Sequence, residues 1–186
     1  MNLARAMELE RDPIAEEILA GRFRSATAMC AEAHGTALGR LCMALLGNQA
    51  EAEEAVQEAL LSAHTAMAQF RASGTVRGWL MTIARRTCAQ RLERRTRRRQ
   101  QNAQLRDVHE APGPDHLADV HRRAECVRGA LAELKPTDRE LIVLRYQAGL
   151  SFREVAAALE ISEAAARQRG GRALRRLRDL LADEVG

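Results

Sequence analysis

From Thr137 to Arg178 the apolar positions recur with a helical period, twice, on either side of one tight break. Phe152, Val155, Ala156 and Leu159 fall at i, i+3, i+4 and i+7 and form a single apolar stripe. Ser151 and Glu154 stand ahead of it in capping-box spacing, each able to satisfy an orphan N–H at a helix start. After Glu160-Ile161, Ser162 is placed to cap a second helix, with Glu163 in its first turn where the dipole favours a carboxylate. Ala166, Gly170, Ala173, Leu177 and Leu180 line one face of that helix. At about 3.6 residues per turn, Gln168, Gly171, Arg172 and Arg175 lie on the other. Two short helices across a tight turn predict a helix-turn-helix.

The same periodicity predicts helices through the rest of the chain. Asp12, Pro13 and Gly21 suit the cap, first position and stop of a short leading helix within residues 1–21. Phe23, Ala26, Cys30, Ala37, Leu41 and Leu45 give a longer apolar helix over 22–47. Asn48 and Glu51 form another capping pattern, opening a helix to about Phe70 whose first half carries Glu51, Glu53, Glu54, Gln57 and Glu58. Thr75 can cap the next helix, with Val76, Trp79 or Leu80, Ile83 and Leu92 on its apolar stripe. Residues 100–114 lose the pattern, and Pro112-Gly113-Pro114 forbids a continuous helix, so a flexible linker is expected. Helical pattern resumes at Asp115 and turns at Lys135-Pro136 into the helix-turn-helix.

Charge sharpens this picture. The net charge is +4, yet residues 1–90 carry nine basic and ten acidic side chains while 91–186 carry twenty and fifteen. Six arginines and no acid stand between Arg167 and Arg178, and six arginines face only Glu93 between Arg91 and Arg99. A basic helix face is often merely solvated, but like charge at this density repels itself unless an anionic partner offsets it. Nucleic acid is the expected partner. Four carboxylates near one helix start suit the dipole or a docking face equally. With 46% apolar and 3% aromatic residues and no alternating apolar run, the chain is expected to be all-α.

Catalytic chemistry is not indicated: there is no nucleotide-binding glycine loop, nucleophile–base set or metal cluster. Cys30 and His34 at i, i+4 could hold a metal, but no second ligand pair accompanies them, and Cys30 reads as core. His109, His116, His121 and Cys126 are a looser grouping still. No cofactor or metal is expected. No apolar run approaches a membrane span, no signal-peptide core is visible, and the unpaired cysteines suit reduced thiols, so a cytoplasmic protein without membrane insertion is expected.

AEAEEAVQEALL at 50–61, with Phe70 nine residues before Trp79 in WLMTIAR, resembles the second conserved region of bacterial RNA polymerase sigma factors. LAELKPTDRELIVLRYQAGLSFREVAAALEISEAAARQR resembles the fourth. Their order and spacing are similar to the compact extracytoplasmic-function (ECF, group four) subclass of the sigma-70 family. The resemblance implies two small helical domains, a region 2-like bundle over 22–97 and a region 4-like helix-turn-helix domain over 115–186, joined by a linker over 98–114, with 1–21 as an extension.

Four roles are implied. Glu53, Glu54, Gln57 and Glu58 would dock on the β′ coiled coil of core RNA polymerase. Arg71, Ser73, Arg77, Trp79, Arg85 and Arg86 would meet the minus-ten promoter element and help melt it. The linker would thread the polymerase near the RNA exit path, with the β flap as a further contact. Arg167, Gln168, Arg169, Gly171, Arg172 and Arg175 would enter the major groove of the minus-thirty-five element. A dedicated anti-sigma factor would hold the free form 1:1; otherwise it would be a monomer. Arginine reads guanine and glutamine reads adenine bidentately, each worth about 1–3 kcal/mol of discrimination, whereas phosphate contacts fix register.

Some positions depart from the family pattern. Arg86 and Gln90 stand where Asn and Asp are usual, and Ala164-Ala165-Ala166 replaces Gly-Thr-Val. These departures leave two other expectations in play: a polymerase-binding adaptor that has lost promoter reading, and a free-standing helix-turn-helix regulator.

Overall fold

A computed structural model describes residues 12–71, 74–101 and 118–183, and every regular element among them is helical. Helix α1 (Pro13–Leu19) starts as its sequence dictates: Asp12 Oδ1 accepts the Ile14 N–H at 3.0 Å, with proline at the first turn. Gly21 then takes a left-handed turn at φ +74°. Helix α2 (Phe23–Leu46) ends at Gly47, whose left-handed conformation lets its N–H donate to the Met43 carbonyl.

Asn48 caps α3 (Gln49–Ala66), accepting the Glu51 N–H at 3.0 Å. Ala52, Ala55, Ala59 and Ala63 are its buried residues, a small-residue stripe that lets the helix lie close to its neighbours. The helix expected to reach Phe70 stops at Ala66 and continues as a 3-10 turn, Met67–Gln69. Tight winding buries Met67 and swings Phe70 onto Trp79, ring centroids 5.1 Å apart at 61°.

Helix α4 (Val76–Gln101) starts at Thr75, whose Oγ1 accepts the Gly78 N–H at 3.0 Å. It runs past the expected linker start at 98, because arginine and glutamine are good helix formers and no breaker intervenes. The remaining linker expectation, residues 102–117, lies outside the described residues, as do Ser73, His109, His116 and the side chain of His121.

The second half comprises α5 (Ala118–Glu133), α6 (Pro136–Ile142) with a π turn (Val143–Gln147), α7 (Phe152–Leu159) and α8 (Glu163–Asp183). The capping box is present in full: Glu154 N–H donates to Ser151 Oγ at 3.2 Å, and Ser151 N–H to Glu154 Oε2 at 2.8 Å. Ser162 Oγ accepts the Ala165 N–H at 3.1 Å. Glu160 makes the break, in left-handed conformation at φ +56°.

Two apolar clusters hold the fold. The smaller joins Ala130, Leu131, Leu134, Ile142, Ala173 and Leu177 of α5, α6 and α8. The larger runs through α1–α4 and continues without a break into Leu141, Val143, Leu144, Ala148, Leu150, Val155 and Ala166. The two halves expected to be tethered modules are therefore packed against each other. Burial of one leucine such as Leu144 or Leu150 contributes about 1.5–3 kcal/mol, so this shared core resists separation.

Candidate nucleic-acid interface

Helix α8 presents the clearest surface. Ala166, Gly170, Ala173 and Leu177 turn inward; Gln168, Gly171, Arg172 and Arg175 are exposed on the opposite face, with Arg176 and Arg178 beyond. Gly170 sits inward because Phe152 and Leu141 press on it: a β-carbon there would stand 3.0 Å from Phe152 Cε1 and 3.1 Å from Leu141 Cδ2. Gly171 has nothing within 4 Å of such an atom, so a partner can approach its backbone closely.

Two predicted α8 arginines are held by the protein. Arg167 bonds Glu163 one turn earlier at 2.6 Å and lies 5.3 Å from the Phe152 ring, yet remains 63% exposed. Arg169 turns inward and pairs with Asp138 of α6 at 2.6 Å, both partly buried, which fastens α8 to α6. The major-groove contact expected of Arg169 would require this pair to give way, and a shielded charge pair is costly to break by removing one partner.

The acidic helix also has an internal counterpart. Arg91 of α4 bridges Glu54 and Glu58 at 2.9 Å each, and Arg95 lies 3.6 Å from Glu51. Those carboxylates raise the Arg91 pKa, the Glu54 hydrogen bond most of all. Gln49 donates to Glu53 at 2.5 Å. Glu53 and Gln57 stay exposed, whereas the first arginines of the 91–99 run neutralise acids rather than waiting for a polyanion. No local pattern marks this pairing, because the partners lie 33 or more residues apart.

The α4 residues meet the helix-turn-helix. Thr75 donates to Glu154 and Arg77 to the Ala148 carbonyl. Arg85 pairs with Glu140 at 3.0 Å, each side chain under a fifth exposed, and Arg86 with Glu160 at 3.1 Å in the open. A cavity of about 580 Å³ lies between the units, lined by Phe70, Arg71, Thr75, Trp79, Arg153 and Glu154 among others. Burial works to raise the Glu154 pKa, but hydrogen bonds from Thr75 and Ser151 and the nearby Arg77 hold it below the usual carboxylate value. Glu140, Glu154 and Glu160 are the residues that sequence reasoning missed in this role; only the capping-box part of Glu154 is written locally.

The remaining candidates are quiet. Burial, aided by Asp12, pushes the Cys30 thiol up to about 11. A hydrogen bond with Cys42 and burial push Cys88 up as well, so both are poor nucleophiles. His34 is half-buried, its pKa lowered by desolvation and by Arg77. Among the described residues, no group of three or more His, Cys, Asp or Glu is placed to hold a metal, and no helix is long and apolar enough to cross a membrane.

Residues 30–98 match Sigma-70 region 2, and residues 130–179 match Sigma-70, region 4, in that order. The ECF RNA polymerase sigma factor SigM of Mycobacterium tuberculosis is 33% identical over 148 residues, which cover 80% of this chain and 73% of SigM. The chain belongs to the sigma-70 family, in its ECF branch. SigE of Mycolicibacterium smegmatis is 31% identical over 152 residues, 80% of this sigma factor and 59% of SigE. Among solved structures, the sigma factor RpoE in complex with the anti-sigma factor NepR from Bartonella quintana superposes with a TM-score of 0.66 at 26% identity, covering 78% of this chain and 90% of RpoE. CnrH in complex with the cytosolic domain of CnrY gives 0.65 over 97% and 96%, at 23% identity, a likeness of fold. Sigma factors aim a polymerase and leave the chemistry to it.

Proposed function

We propose that this ECF sigma factor binds core RNA polymerase in the cytoplasm and directs it to a small, signal-responsive promoter set, with α8 reading the minus-thirty-five element and the start of α4 engaging the minus-ten element. The observation that carries the reading is the exposed row Gln168, Gly171, Arg172 and Arg175 on a recognition helix, on a chain that matches region 2 and region 4 in order. Glutamine and arginine are suited to base edges there, and Arg175, Arg176 and Arg178 to phosphates. Arg71 and Trp79, beside the cavity, serve the melted strand, with Arg77, Arg85 and Arg86 following along α4. Glu53 and Gln57 give polymerase an exposed docking edge, while Glu54 and Glu58, tied to Arg91, set its shape.

An anti-sigma factor is the regulatory partner that the likeness to RpoE in its complex with the anti-sigma factor NepR favours. Run-off transcription with core enzyme tests the reading. The pure chain is expected to select promoters, and Arg172→Ala to lose that selection while still binding core. Unchanged start sites with Arg172→Ala reject the recognition-helix assignment. Tight duplex binding without any polymerase requirement would favour a free-standing regulator instead.

A further inference from the structure

We propose that the far half of α4 is a phosphate-binding rail for the promoter duplex between the two elements, formed by Arg94, Arg97 and Arg98, a role that rests on the minus-ten contacts proposed above for the start of the same helix. Arg91 and Arg95 face α3, where Glu51, Glu54 and Glu58 hold them. Arg94, Arg97 and Arg98 are exposed, and none of them has an ion pair or side-chain hydrogen bond with another described residue. At about 3.6 residues per turn, Arg86, Gln90, Arg94 and Arg97 follow one another down a single face, with Arg98 at its edge. Arg94 stands three and four residues before Arg97 and Arg98, a spacing at which like charges repel along a helix. Glu93 is the one acid between Leu80 and Gln101, and it forms no ion pair with a described residue. A polyanion offsets charge of this density.

The chemistry of this stretch selects duplex backbone over an opened strand. No aromatic residue lies between Leu80 and Gln101, so the side-chain platforms on which unpaired bases stack are missing from it. The ring pair of Phe70 and Trp79 sits at the other end of the helix. Guanidiniums supply the charge-assisted bonds that phosphate oxygens accept. Distance sets which phosphates they meet. At about 1.5 Å of rise per residue, Arg94 to Arg98 stand about 22–29 Å beyond Trp79 along α4. Each base pair advances the duplex about 3.4 Å, so DNA running beside the helix presents there the phosphates about seven or eight base pairs from the aromatic pair. That lies past the strand that Trp79 serves and well short of the minus-thirty-five element. The order along the chain agrees: aromatic pair, arginine rail, then α8. Such contacts carry no base preference; they fix register and hold the intervening duplex while the two elements are read.

Holoenzyme assembled from core polymerase and the full chain tests the rail on a promoter fragment that the run-off assay identifies. Each phosphate neutralised steepens the fall of log affinity with log salt by about 0.9, so Arg94→Gln, Arg97→Gln and Arg98→Gln together should flatten that slope by about 2.7. Between about 50 and 200 mM salt the variant should then lose about 40-fold less affinity than the parent. Glutamine is a good helix former, so the variant should fold and bind core as the parent does. Lysine at the same three positions keeps the charge and should keep the slope. Neutral methylphosphonate linkages placed about seven or eight base pairs upstream of the opened strand should weaken the parent holoenzyme and leave the glutamine variant unchanged. An unchanged slope overturns the rail. So does a methylphosphonate loss that both chains share, since polymerase then makes the contact, or a variant that no longer binds core, since the arginines then serve polymerase. A parent holoenzyme that selects no promoter strikes instead at the function proposed above.

Discussion

Two adjacent glycines in α8 should answer substitution with opposite signs. Gly170 and Gly171 share one helix interior, so alanine at either gains about 0.8–1.0 kcal/mol of intrinsic helix propensity. At Gly171 nothing lies within 4 Å of the new β-carbon, and the whole gain should appear as stability. At Gly170 the methyl would meet Phe152 at 3.0 Å and Leu141 at 3.1 Å, and Leu141 is fully buried. Overpacking of this kind costs about 1–3 kcal/mol, which leaves Gly170→Ala destabilised by roughly 0–2 kcal/mol. The two variants should therefore differ by about 1–3 kcal/mol, in urea melts with a common m-value. Equal midpoints would refute the packing account. Gly171→Ala carries a second reading: if minus-thirty-five binding weakens while stability rises, the bare backbone there is a DNA contact.

Glu160 holds a left-handed C-cap at φ +56°, which costs a side-chain-bearing residue about 1–2 kcal/mol, so Glu160→Gly should be more stable than Glu160→Ala by about 1 kcal/mol in thermal melts, both having lost the exposed Arg86 pair. Arg175→Ala should weaken DNA binding evenly across sequences and lower the salt slope by about 1, whereas Arg172→Ala should cost about 1–3 kcal/mol at one base position; binding titrations over salt and sequence distinguish them. Stability should fall in two steps on acidification. His34 has a folded pKa below its ordinary 6.5, so the unfolded chain takes the proton first and stability drops as pH falls below that value. Glu154, lowered from 4.5, contributes fully above 4.5 and loses its share as pH falls through the lowered value. Urea midpoints against pH check both, and His34→Asn should erase only the upper step.

Local order was written in the sequence by itself. The Ser151–Glu154 box, the Asp12, Asn48, Thr75 and Ser162 caps, the Gly47 stop and the inward and outward faces of α8 all depend on groups within about four residues, the reach of a helical turn. The ordered sigma-like segments likewise needed no coordinates. Tertiary structure alone decided which charges are spent. Arg91 on Glu54 and Glu58, Arg169 on Asp138, Arg85 on Glu140 and Arg86 on Glu160 join residues 31 to 74 positions apart, and periodicity within one helix says nothing about which face of another it will meet. Two basic surfaces that look equivalent along the chain thus differ in space. One lies largely open to solvent, and in the other the leading arginines, Arg91 and Arg95, are taken up by carboxylates of α3 that the helix packing brings beside them.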